Sequence, residues 1–71
     1  MALETTTIGP YSDVILTAGL TTHRGHRIFG VFANESDARN VDADKLALAT
    51  LDANALTPDQ VELAERNSES L

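Results

Sequence analysis

The stretch "SDVILTAGLTTHRGHRIFGVFAN", Ser12 to Asn34, decides the fold. β-Branched and aromatic residues flank a central Arg24-Gly25, a pattern that reads as two antiparallel strands joined by a turn. Gly25 can take the left-handed conformation that a three-residue loop closed by a bulge requires. If His23 faces His26, then Leu20 faces Phe29, Gly19 faces Gly30 and Ala18 faces Val31, and the opposed glycines let the ribbon bend sharply. Ile28, Phe29, Val31 and Phe32 are apolar on both faces of the second strand, so both faces need cover. The cationic end, "HRGHR", sits at the hairpin tip, and the aromatic end runs into the core.

Outward from this ribbon the chain divides into segments. Residues 1–12 are Thr-rich and contain the turn signal Gly9-Pro10, so they are expected to form a flexible N-terminal arm. Residues 13–56 are expected to form a β-rich body interrupted by a long polar loop at 34–45, "NESDARNVDADK", of the length that usually serves a partner or a function. "LALATL", Leu46 to Leu51, fits a strand by alternation, with Leu46 and Leu48 together. Leu46, Ala49, Ala53 and Leu56 also fit one helical face; the strand reading is preferred. In residues 57–71, Thr57 can cap a helix, Pro58 suits its first position, Gln60 completes a capping box and Leu56 can staple onto Val61. Asp59 and Glu62 lie near the positive end of that helix dipole. "NSESL" reads as a frayed tail. The expected fold class is a small α+β domain, mainly β with a short C-terminal helix: an antiparallel hairpin plus a third strand, arranged as a partial β-barrel.

Composition narrows the function. A chain of 71 residues buries only about 60% of the surface its unfolded form exposes, so its core is thin. It has no Cys, no Trp, one Tyr and two Phe, which leaves no disulfide and little aromatic burial to compensate. Self-association is the remaining source of stability. Eleven carboxylates against five Lys and Arg give a net charge of −6, the wrong sign for general nucleic-acid binding. The opening "MALETTTIGPYSD" lacks a basic leader region, and no apolar run is long enough to span a membrane.

Candidate chemistry is sparse. His23 and His26 lie beside Arg24 and Arg27, whose field repels a cation, so they are read as pH-responsive surface groups rather than metal ligands. "DANALTPDQVE" has Asp52 and Asn54 at alternate positions, as a calcium loop would. It lacks the glycine at the sixth position and places Leu63 where the bidentate Glu belongs. No phosphate loop, nucleophile elbow or paired carboxylate is present, so neither an enzymatic activity nor a cofactor is expected. The candidate contact residues are His23, Arg24, His26 and Arg27 at the tip, Phe29, Val31 and Phe32 on the strand, and Glu35, Asp37, Arg39, Asp42 and Asp44 in the polar loop.

The succession "DVILTA", "GHRIFGVFAN", polar loop and "LALATLDANAL" resembles the bacteriophage head-tail joining family, the connector proteins of the virion neck. The resemblance runs from Asp13 to Leu56. It implies a partly closed β-barrel body in a homo-oligomeric ring, with copies of the chain and portal or tail proteins as partners and the virion as its location. It also implies that Arg24 and Arg27 meet carboxylates of a neighbouring copy, and that an acidic channel wall lets DNA slide. The alternative is a small acidic adaptor or regulatory protein of the cytoplasm that binds an acidic partner through its basic hairpin tip.

Overall fold

The computed structural model describes residues 3–18 and 27–71. Four strands, β1 (Thr5–Ile8), β2 (Tyr11–Thr17), β3 (Ile28–Phe32) and β4 (Ala49–Asp52), form one antiparallel sheet in the order β1-β2-β3-β4. Two one-turn helices, α1 (Glu35–Ala38) and α2 (Ala43–Leu46), connect β3 to β4, and a 3-10 turn (Ala53–Ala55) leads into α3 (Pro58–Glu69). This is the small α+β class expected from the sequence, mainly β with a C-terminal helix. The sheet is open and does not close into a barrel.

The expected N-terminal arm is a strand. Gly9 and Pro10 are the whole connection between the paired residues Ile8 and Tyr11, with Gly9 at φ 57°. Glycine in a left-handed conformation at the first loop position is what a two-residue hairpin with the twist of its strands requires. The turn signal thus joins two strands, and residues 5–8 pair with β2 instead of hanging free. Between the pairs Thr6–Val14 and Ile8–Tyr11 the register shifts, so Ser12 and Asp13 lie opposite the single residue Thr7. Asp13 carries the bulge at φ 52°, a conformation Asp tolerates better than most side chains.

In the central ribbon, Ile15 faces Phe32, Leu16 faces Val31 and Thr17 faces Gly30. The expected pairing of Ala18 with Val31 is displaced along β2 by two residues. An even shift keeps every side chain on its face, which is why the hydrophobic pattern could not fix the register. The pairings expected for Gly19, Leu20, His23 and His26 lie outside the described residues.

β3 is covered on both faces by its own chain. On one side, Val14, Leu16, Phe29 and Val31 form a core with Ala64 of α3, extended by Leu51, Leu56, Val61 and Leu63. On the other, Ile15 and Phe32 pack with Leu3 and Ala38, and with Ala43 and Ala47 at their margin. Phe29, Val31 and Phe32 have 0% exposure. Burying each such side chain contributes roughly 1.5–3 kcal/mol.

The polar segment 34–45 is not a plain loop. The Asn34 side chain accepts from the Asp37 N–H at 2.9 Å and starts α1, while Asp42 precedes α2. These helices are too short to show an apolar period, and only α1 has a side-chain cap, from Asn34. Within Leu46 to Leu51, Leu46 closes α2 and the strand begins at Ala49, so the preferred strand is present but starts later.

α3 begins as expected. Thr57 Oγ1 accepts from the Gln60 N–H at 3.2 Å, and Gln60 Oε1 accepts from the Thr57 N–H at 2.9 Å. Its end departs from the frayed tail expected of "NSESL". Asn67 is 2% exposed, donates to the carbonyls of Glu4 (3.0 Å) and Leu16 (2.9 Å), and accepts from the Glu4 N–H at 2.9 Å. Ser68 Oγ accepts from the Ala18 N–H and donates to the Ala18 carbonyl, both at 2.8 Å. Glu4 and Leu16 are the rung beyond the Thr5–Ile15 pair. The last turns of α3 therefore complete the ladder where β1 separates from β2.

Replacing Asn67 by Ala leaves the buried Leu16 carbonyl and the partly buried N–H and carbonyl of Glu4 without this partner and should destabilise the fold by about 2–4 kcal/mol in urea unfolding. Gly9→Ala should cost about 1 kcal/mol through backbone conformation, since no atom lies within 4 Å of the added methyl position. A change below about 0.5 kcal/mol in the first, within the ordinary range for surface substitutions, would contradict the role given to Asn67.

Candidate interaction surface

The structure does not gather the candidate contact residues into one site. His23, Arg24 and His26 lie outside the described residues. Arg27, just before β3, holds Nη1 3.7 Å from Glu65 of α3 and its guanidinium 5.4 Å from the centre of the Phe29 ring. Both partners of the ion pair are about half exposed, so water screens it. Its geometry nonetheless leans the Arg27 side chain along its own domain.

Phe29, Val31 and Phe32 were expected to offer apolar surface to a partner. They are core residues instead. The expectation assumed that so short a chain could not cover both faces of β3; α3 covers one, and α1 with the Leu3 segment covers the other. The polar-loop residues stay near the surface. Glu35 and Arg39 pair across one turn of α1, with Nε to Oε1 at 2.8 Å. Asp37 lies in the first turn of α1, and Asp44 in that of α2. The N–H of Asp42 donates to Asn40 Oδ1 at 2.9 Å. Among the described residues, no three His, Asp or Glu side chains are placed to hold a metal ion.

Two carboxylates tie the N-terminal segment down. Glu4 accepts from Arg66 Nε at 2.9 Å, and that hydrogen bond holds its pKa below the ordinary value. Glu35 is lowered chiefly by its bond from Arg39, then by the Leu3 N–H, which lies 3.4 Å from Oε2.

The surface that sequence reading missed is an edge. Among the described residues no strand flanks the outer side of β4, as none flanks the outer side of β1. Val41 (97% exposed), Leu46 (39%) and Leu48 (46%) all precede β4 closely, and of the large hydrophobic residues exposed in the described chain only Leu71 lies elsewhere. The signal for this surface was present in "VDADKLALATLD", where Val41 stands alone among polar residues and Leu46 and Leu48 share one face of an alternating run. An open cleft of about 230 Å³ lies between Ala18, Arg27, Glu65, Ser68 and Glu69 at the other end of the sheet.

The chain matches no family model, no curated protein and no solved structure. Among the described residues no helix is long and apolar enough to cross a membrane.

Glu4 and Glu35 have lowered folded-state pKa values, so the stability they contribute is fully present above the ordinary carboxylate value of 4.5 and is lost as pH falls from there through the lowered values. Acid titrations of thermal stability should therefore be flatter below pH 4.5 for Glu4→Gln and Glu35→Gln than for the native chain. An unchanged acid limb in both variants would show that these bonds do not persist in solution.

Proposed function

We propose that this chain is a structural, non-catalytic assembly protein that acts by binding copies of itself through the open edges of its sheet. The ring of a phage head-tail connector is the particular setting that the order of its segments implies. The observation that carries the assembly reading is the β4 edge, unflanked among the described residues and preceded in the sequence by exposed Val41, Leu46 and Leu48.

An edge strand presents a row of backbone donors and acceptors that can template another strand. Monomeric proteins usually guard such an edge with Pro, inward-pointing charge or a covering segment. In β4, "ATLD", Ala49 to Leu51 carry neither Pro nor charge, and Asp52 ends the strand. The strand is short, so one contact falls below the roughly 1,200 Å² of a stable pairwise interface. Association is accordingly weak between two copies and gains strength where each copy is held by more than one neighbour.

Charge sets the conditions. Each copy carries −6, so copies repel at long range, and added salt should favour association by screening. A basic tip binding an acidic partner would respond in the opposite direction.

Sedimentation velocity over a wide concentration range, at low and high salt, should show mass increasing with both. The double variant Leu46→Glu, Leu48→Glu should shift the equilibrium to monomer while leaving the circular dichroism spectrum unchanged, because both side chains lie outside the two cores. A chain that stays monomeric at every concentration and salt would end the assembly reading. Co-sedimentation with isolated portal or tail components tests the connector setting separately.

A further inference from the structure

We infer that β1 is an exchangeable strand: when copies of this chain fold together, residues 3–8 of each seat on β2, α1 and α3 of the other, giving a reciprocal dimer joined through residues 9–10. This goes beyond the edge contact proposed above and does not depend on it, because exchange replaces β1 by an identical strand and leaves the strand order of the sheet unchanged.

The seat of this segment is built by the rest of the chain. Leu3 packs among Ile15, Phe32 and Ala38, and its N–H lies 3.4 Å from Glu35 Oε2. The backbone of Glu4 is bound in both directions by the Asn67 side chain, and the Glu4 carboxylate accepts from Arg66 Nε at 2.9 Å. Thr5, Thr6 and Ile8 pair with Ile15, Val14 and Tyr11 of β2. None of the receiving groups belongs to residues 9–10, so the same bonds form whether the strand comes from the same copy or from another. The balance between the two forms therefore lies in the connection and in the concentration that supplies a second strand. β1 itself is weakly specified: in "TTTI", Thr5 and Thr7 are exposed and Thr6 and Ile8 are half-buried. A strand with so little apolar pattern is prone to alternate pairing and exchange.

The connection is suited to opening. Among the described residues, the two with positive φ, Gly9 (57°) and Asp13 (52°), both lie at the turn end of this hairpin. Asp13 is the one that is not glycine, and a left-handed conformation is unfavourable for an L-residue. A short connection beside such strain invites domain swapping. Straightening asks little of the hinge itself. Pro10 holds a φ that extended backbone shares, the residue before a proline is biased toward extended conformations, and Gly9 accepts either state. Exchange requires the hairpin to be open, so it takes place while concentrated chains fold; chains folded in dilution close on themselves.

The chain contains no cysteine, so introduced thiols report which copy supplies β1. Ile8 and Tyr11 are Cα partners, and facing residues of an antiparallel pair lie within the separation a disulfide accepts. Ile8→Cys and Tyr11→Cys chains, mixed in equal amounts, refolded together at high concentration and oxidised, should give a covalent dimer whose peptide map contains the link between residues 8 and 11. The same two chains refolded separately in dilution and then combined should not. Gly9→Val, which disfavours the left-handed turn and suits an extended hinge, should tighten the exchanged dimer by about tenfold for each hinge. If light scattering shows dimers in the co-refolded mixture but the 8-to-11 link is absent, β1 has stayed on its own copy and the inference is overturned, with edge assembly intact. A Gly9→Val chain that is only less stable, with no gain in dimer, overturns it as well. A mixture without dimers at any concentration removes both readings. An exchanged dimer that persists in chains also carrying Leu46→Glu and Leu48→Glu, while growth beyond the dimer stops, supports both. Should Tyr11→Cys fail to fold, Thr6→Cys with Val14→Cys, Cα partners in the same pair of strands, gives the same outcomes.

Discussion

A strand that is apolar on both faces has to be dry on both faces, and the rest of this molecule is arranged to meet that constraint for β3. Phe29 and Val31 point to one side and Phe32 to the other, all without exposure. A sheet alone could shelter only the strand's edges. α3 therefore crosses one face, and the short helices after β3, with Leu3, close the end of the other. The cover comes from Leu3 before the ribbon and from α1 and α3 after it, which is why these segments are bound to the sheet.

Holding α3 in place is a matter of hydrogen bonds as well as apolar contact. β1 leaves β2 beyond the Thr5–Ile15 pair, and the backbone of Leu16 and Ala18 would then be buried without partners. Asn67 and Ser68 supply them from the helix. An amide side chain suits the task because it donates and accepts at once, as a peptide group does. Substituting a helix terminus for a missing strand segment sets the position of α3 along the sheet. The capping box at Thr57 fixes only where the helix begins.

Much of this was legible in the sequence. The central ribbon, the capping box and the α+β class follow from alternation and from Thr57, Pro58 and Gln60, whose effects are local. β1 was hidden because "TTTI" has almost no apolar pattern of its own; its pairing depends on Gly9 permitting a tight turn. α1 and α2 were hidden because one turn is too short for a period to show. The register was hidden because a two-residue slip leaves both faces of β2 unchanged. Most of all, "NSESL" looks like a solvated tail unless one knows which carbonyls its Asn and Ser will meet. The open edges belong to the same category: a free edge is a property of strand order, which no local segment encodes.

The bond between Glu4 and Asn67 spans 63 positions of the chain. During synthesis on the ribosome the first hairpin starts to emerge 63 residues before the amide that seals its open end. Until then the nascent β1–β2 pair has a rung without a partner, and closing so long a loop carries its full entropic cost before any contact rewards it. Folding of this small domain is thereby deferred until residue 67 is available, and a chain interrupted shortly before that point would keep its first strands exposed to other chains.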